Sequence, residues 1–117
     1  MKFINLTPHD VTIVDGETKH TFPKQGLARV QTIPLNPTML GGIPFFTTTY
    51  GGTEGLPEPQ EGIIFIVSMV VAQANPERRD IVFPASDPAN SVRDENGNLI
   101  GFKALTRFLL VDKQVEK

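Results

Sequence analysis

Five apolar residues follow one another from Ile63 to Val67 with no polar position between them. A run without alternation is buried on both faces. Its β-branched content, and the Pro/Gly-rich approach from Pro57 to Gly62, predict a short central strand. The period changes at Ser68, after which Met69 to Ala74 reads as helix. A serine at such a junction is a natural N-cap, so the pattern predicts a strand passing straight into the main helix, about Ser68 to Asn75. Asn75-Pro76 ends that helix or restarts a turn. Ile81-Val82-Phe83 is then a second apolar strand, stopped by Pro84. Strand, helix and strand can form a right-handed βαβ crossover if the two strands are parallel neighbours.

Elsewhere the pattern alternates. Phe3 to Leu6 starts a strand that Thr7-Pro8 bends. Val11 to Val14 alternates into Asp15-Gly16, a dipeptide favoured in two-residue hairpin loops. With those two as the loop, Ile13 pairs with Thr18, and Val11, Ile13, Thr18, His20 and Phe22 share one face. His20 is then a core-edge residue, and His9 extends the same face beside the bend. Leu27 to Ile33 reads as a strand, Asn36 to Gly42 as loop, and Ile43 to Tyr50 as an aromatic, β-branched strand. Gly51 to Gly62 is the longest expected loop, of a length that is commonly functional or mobile. Asn96-Gly97 marks another two-residue hairpin, which pairs Arg93 with Ile100 and sets Arg93 on the face of Phe102, with Asp94 on the other. Ala104 to Val111 closes the chain as a strand before a charged, fraying tail.

Many short strands against one helix predict an α+β, β-rich single domain, as a strongly bent sheet or a partly open barrel with one principal helix. The 117 residues suit one domain. A net charge of −2 argues against nucleic acid as partner, since such binders carry a basic excess. The aromatic strand holding Phe45, Phe46 and Tyr50 also lacks interleaved lysine or arginine. No cysteine is present, so there is no disulfide framework and no thiolate metal site. Two isolated histidines without a carboxylate cluster predict no metal and no cofactor. No stretch approaches ~20 apolar residues, and the N-terminal residues lack the apolar run of a signal peptide. A cytoplasmic protein without a membrane partner is expected. Asn5-Leu6-Thr7 matches a glycosylation acceptor, read here as chance.

The candidate chemistry centres on Arg93 and Asp94. They form either a structural ion pair or caps beside a hairpin, or a site where Arg93 grips a phosphate or carboxylate with Phe102 beside it to stack a ring. Ser68 and the amides after it are either a plain N-cap or a second anion-binding element. Arg78 and Arg79 add nearby positive charge, and Thr7 and His9 place a hydroxyl and an imidazole at a strand end. No Gly-x-Ser-x-Gly elbow and no cysteine supply a nucleophile.

Three segments together, Asn5-Leu6-Thr7-Pro8-His9, Ile66-Val67-Ser68 with Arg79-Asp80, and Arg93-Asp94-Glu95-Asn96-Gly97 with Gly101, resemble a group of small, largely uncharacterised proteins of phages and prophage-bearing bacteria. Small β-rich phage accessory proteins include some that sequester nucleotide signals of bacterial immunity. By that analogy the resemblance implies non-catalytic binding of a small anionic, nucleotide-like ligand, in a homo-oligomer. The alternatives are an assembly or interaction module built on Phe45, Phe46, Met69 and the Gly51–Gly62 loop, and a nucleotide hydrolase using His9.

Overall fold

The computed structural model describes residues 1–108. Its elements, in chain order, are β1 (Lys2–Asn5), β2 (Val11–Asp15), β3 (Thr18–Phe22), β4 (Arg29–Leu40), β5 (Ile43–Glu54), β6 (Ile63–Ile66), helix α1 (Met69–Ala74), β7 (Ile81–Pro84), β8 (Ser91–Arg93), β9 (Leu99–Phe102) and β10 (Leu105–Thr106). The apolar run becomes β6, an interior strand of a sheet ordered β1-β6-β7-β10. β1, β6 and β7 are parallel, and β10 closes the far side antiparallel to β7. Parallel neighbours need a crossover between them, and α1 is the crossover from β6 to β7. Phe65, Val67, Val71, Ala72, Ile81 and Phe83 form the core with Leu6 and Ala28. The helix is thus held by burying Val71 and Ala72 against this sheet.

A second four-stranded sheet runs β3-β2-β9-β8, and β4 with β5 makes a separate two-stranded hairpin. The chain is therefore sheet-dominated α+β, and among the described residues no sheet closes into a barrel. The β2–β3 loop is Gly16-Glu17 rather than Asp15-Gly16, because Asp15 pairs with Thr18 and Gly16 takes a φ of 62° at the first loop position. The pairing slides by two residues, so Ile13 meets His20 and Val11 meets Phe22. A slip of two keeps every side chain on its face. His20, however, is exposed and not at a core edge.

The largest departure is the hairpin of β4 and β5, each 12 residues long. The expected loop from Asn36 to Gly42 is strand up to Leu40, with a bulge between Leu35 and Thr38 where Asn36 takes a φ of 53°. The turn is Gly41-Gly42, both at positive φ. β5 likewise runs into the expected loop as far as Glu54, so the irregular segment starts only at Gly55. Residues 31–50 are all exposed, and the hairpin stands out from the body as an arm. A radius of gyration of 17.1 Å agrees, since a compact chain of this length has roughly 13–14 Å. Of the closing strand expected over Ala104–Val111 only Leu105–Thr106 is strand, as β10; Ala104, Arg107 and Phe108 are not, and residues 109–117 lie outside the described residues.

Candidate functional site

The carboxyl ends of β1, β6 and β7 point the same way, and ligands of open sheets with parallel strands bind outside such ends. A half-open cleft of about 400 Å³ lies there. Thr7 and His9 line it from the turn after β1, Ser68 from the end of β6, and Pro84 from the end of β7. Asp10, Val11 and Thr12 and the strand β9, from Leu99 to Phe102, form the side contributed by the second sheet.

The turn after β1 is built on Asn5, which is fully buried. Its Nδ2 donates to the carbonyls of His9, at 2.9 Å, and Phe22, at 2.8 Å. Its Oδ1 accepts the Thr7 amide at 2.9 Å and lies 2.7 Å from the Thr7 hydroxyl. That hydroxyl also lies 2.8 Å from the His9 carbonyl, so its single proton serves two acceptors. Thr7 is accordingly committed to the turn, while its position fixes where His9 stands. The imidazole of His9 is exposed at the cleft, and among the described residues no hydrogen bond engages it. The signal for Asn5 was its Asn-x-Thr spacing: an asparagine side chain readily bonds backbone two residues on.

Ser68 occupies the N-cap position with extended backbone (φ −72°, ψ 160°), and its carbonyl accepts the Ala72 amide at 3.1 Å. Its hydroxyl makes no capping bond, contrary to expectation, and the residue instead lines the cleft. The helix end is tied down at Asn75, whose Nδ2 donates to the Val71 carbonyl and to the Thr53 hydroxyl, both at 2.9 Å.

Arg93 and Asp94 are not in this cleft. A bulge between Val92 and Arg93 pairs Arg93 with Leu99 rather than Ile100, and its guanidinium donates to the Gly97 carbonyl at 2.9 Å. The loop has three residues, Glu95-Asn96-Gly97, with Gly97 at φ 82°, a frequent hairpin form whose αL residue makes a bulge. Asp94 Oδ1 accepts the amides of Asn96 and Asn98, both at 2.9 Å. The Asn98 amide above all holds its carboxyl below the ordinary carboxylate range. Both charges therefore lock their own turn.

Arg78 is structural too. Its Nε and one terminal nitrogen grip Asp80 at 2.8 and 2.7 Å, and that nitrogen also donates to the Pro57 carbonyl at 2.8 Å. This pins the loop after β5 to the approach of β7. Hydrogen bonding to the guanidinium lowers the Asp80 carboxyl and raises Arg78. Arg79 is exposed, and its carbonyl accepts from Arg107 at 3.1 Å.

Of the eight candidate residues the fold thus gathers Thr7, His9, Ser68 and Phe102, and sends Arg78, Arg79, Arg93 and Asp94 elsewhere. Among the described residues no lysine or arginine lines the cleft, and the charged one is Asp10, whose Oδ1 accepts the Lys24 amide at 2.9 Å. Gly101, which sequence reasoning used only as part of a resemblance, has a packing reason: a Cβ there would lie 2.9 Å from the Thr12 carbonyl. Among the described residues no cluster of three histidine, aspartate or glutamate side chains could hold a metal. No described helix is long and apolar enough to cross a membrane. The chain matches no family model, no curated protein and no solved structure.

Proposed function

We propose that the cleft binds a small nucleoside-like ligand, a flat ring carrying hydroxyl groups, without chemical turnover. The observation that carries this reading is the convergence of Thr7, His9, Ser68 and Phe102, from distant stretches of sequence, on one cavity at the carboxyl ends of parallel strands. The cavity's size falls within the range of small-molecule sites, which are mostly apolar with a few placed polar groups. Phe102 supplies a surface for ring stacking. The Ser68 hydroxyl, the His9 imidazole and the second Asp10 oxygen supply hydrogen bonds suited to a sugar diol.

Among the described residues the lining holds no lysine or arginine, which changes the expected recognition. Stacking and hydroxyl bonding hold the ligand, and any phosphate it carries faces solvent. The resemblance to phage accessory proteins gives this reading its setting, the withholding of a nucleotide signal from a host. Calorimetry of the purified protein against nucleosides, cyclic nucleotides and ADP-ribose derivatives tests it. Base stacking on an aromatic is worth about 1–3 kcal/mol, so Phe102→Ala weakens binding roughly 5- to 150-fold, while Arg93→Ala leaves it unchanged. No binding by any member, or binding indifferent to Phe102→Ala, sinks the proposal. Product release that His9→Ala abolishes would replace binding by hydrolysis.

A further inference from the structure

From Val30 to Thr53 the chain has no charged residue, and this is the stretch that forms the protruding arm. Its large apolar side chains between Ile33 and Tyr50 are 40% to 66% exposed. At roughly 200 Å² for each large residue, that leaves several hundred Å² uncovered on one hairpin, divided between its two faces because side chains alternate along each strand. Monomer surfaces rarely carry a patch above ~300–600 Å², and a standard interface buries ~800 Å² per partner. A two-stranded hairpin alone is marginal in water, and three or more strands make it stable. The arm has the length and composition of half an interface.

Its two edges differ. β4 carries Pro34 and Pro37, which lack an amide hydrogen, and the bulge at Asn36. Proline and bulges are devices that keep an edge from pairing. β5 has no proline after Pro44 and no charge before Glu54. It pairs with β4 alone among the described strands. Its middle reads Phe46-Thr47-Thr48-Thr49-Tyr50, a segment whose order of residue types is the same in both directions. An antiparallel strand laid against a second copy of itself matches such a segment aromatic to aromatic and threonine to threonine.

We propose that this protein is a two-fold dimer in which β5 pairs antiparallel with β5 of a second copy, centred on Thr48, making one four-stranded sheet of two arms. Thr48 faces its counterpart, Thr47 faces Thr49 of the second copy, and Phe46 faces its Tyr50. Aromatic and threonine cross-strand pairs are favourable ones, and the contact is isologous, so it closes at two copies. The neutral arm meets no like-charge repulsion from its twin. Each tip, with Leu40 and Ile43, then reaches the base of the other copy's arm.

Two single substitutions test the pairing. Thr48→Lys sets like charges opposite each other on the axis while leaving an exposed position in the monomer. Thr48→Cys introduces a thiol into a chain without cysteine. Opposed residues of antiparallel strands have Cα atoms ~4.5–5.5 Å apart, within the ~4.4–6.8 Å that a disulfide spans. Light scattering is expected to give a dimer for the native chain and a folded monomer for Thr48→Lys. Mild oxidation is expected to cross-link Thr48→Cys, and to leave Leu40→Cys largely uncross-linked. A native monomer, an oligomer of another order, or a dimer that survives Thr48→Lys and fails to cross-link at position 48 overturns the proposal. So does a monomer that captures lipid vesicles through the arm.

Discussion

Asn5 holds more of the site than any residue that touches the cleft. Its amide joins the end of β1 to the carbonyls of His9 and Phe22, and so fastens the first sheet to the hairpin of the second. A buried group deprived of its partner loses about 1–3 kcal/mol. Asn5→Ala strands the Phe22 carbonyl and the Thr7 amide, while the His9 carbonyl keeps the Thr7 hydroxyl, so it is expected to destabilise by about 2 kcal/mol or more in urea unfolding. Asn5→Asp keeps an acceptor for Thr7 but loses both donated bonds, and should fall close behind it. A loss below 1 kcal/mol for both would show that the turn is held elsewhere. Asp80 gives the acid limb its shape. Its carboxyl is lowered in the fold by bonding to Arg78, so folding favours the ionised form. That stability is present above the unfolded value of about 3.9 and is lost as pH falls through the lower folded value. Asp80→Asn is therefore expected to flatten the dependence of stability on pH below about 4, measured by unfolding at stepped pH. An unchanged slope would assign the acid limb to other carboxylates.

At the scale of elements, what could be read in advance followed burial. The segment β6-Ser68-α1-β7 was legible because a strand buried on both faces and a helix pressed on it leave a continuous apolar run and then a new period. The arm was legible only as two short strands, Leu27–Ile33 and Ile43–Tyr50; no core constrains the rest, so Asn36-Pro37-Thr38 looked like loop, and a bulge absorbed what a regular strand could not. Arg93 was misplaced by one residue of register, because a three-residue loop with Gly97 in αL and a two-residue loop share the same Asn-Gly signature. That shift gives Arg93 a different cross-strand neighbour. The β2–β9 contact shows the same dependence on backbone detail. Gly101 lets β9 approach the Thr12 carbonyl, and Leu99 to Phe102 wall the cleft. Gly101→Ala puts a methyl 2.9 Å from that oxygen and 3.0 Å from a Val14 methyl. Overpacking of this kind costs about 1–3 kcal/mol. The variant should lose that much stability and, with its cleft wall displaced, bind a nucleoside-like ligand more weakly. Full stability in Gly101→Ala would mean that the two strands separate freely.

The whole molecule divides its tasks between a body and an arm. The buried core cluster contains nothing from residues 31–50. Among the described residues the arm is anchored only at its base, where Asn75 bonds Thr53 and Tyr50 lies 3.4 Å from Gln73. Val30 and Leu56, the flanking side chains that do pack on the core, lie outside that range. Replacing residues 33–49 by a short Asn-Gly turn should therefore leave the body folded. Loop shortening lowers closure entropy in the unfolded chain by at most about 1 kcal/mol, so the midpoint of thermal unfolding should move only a few degrees, or up to the contribution that dimerisation adds at the concentration used. Two readouts then separate the molecule's two proposed activities. Light scattering should report a monomer at every concentration, since the pairing strand is gone. Calorimetry should report unchanged affinity for any ligand of the cleft, because none of its lining residues comes from the arm. An arm-less chain that still dimerises places the interface on the body. One that folds but no longer binds ligand joins the two activities, and means that the cleft is completed only across the dimer.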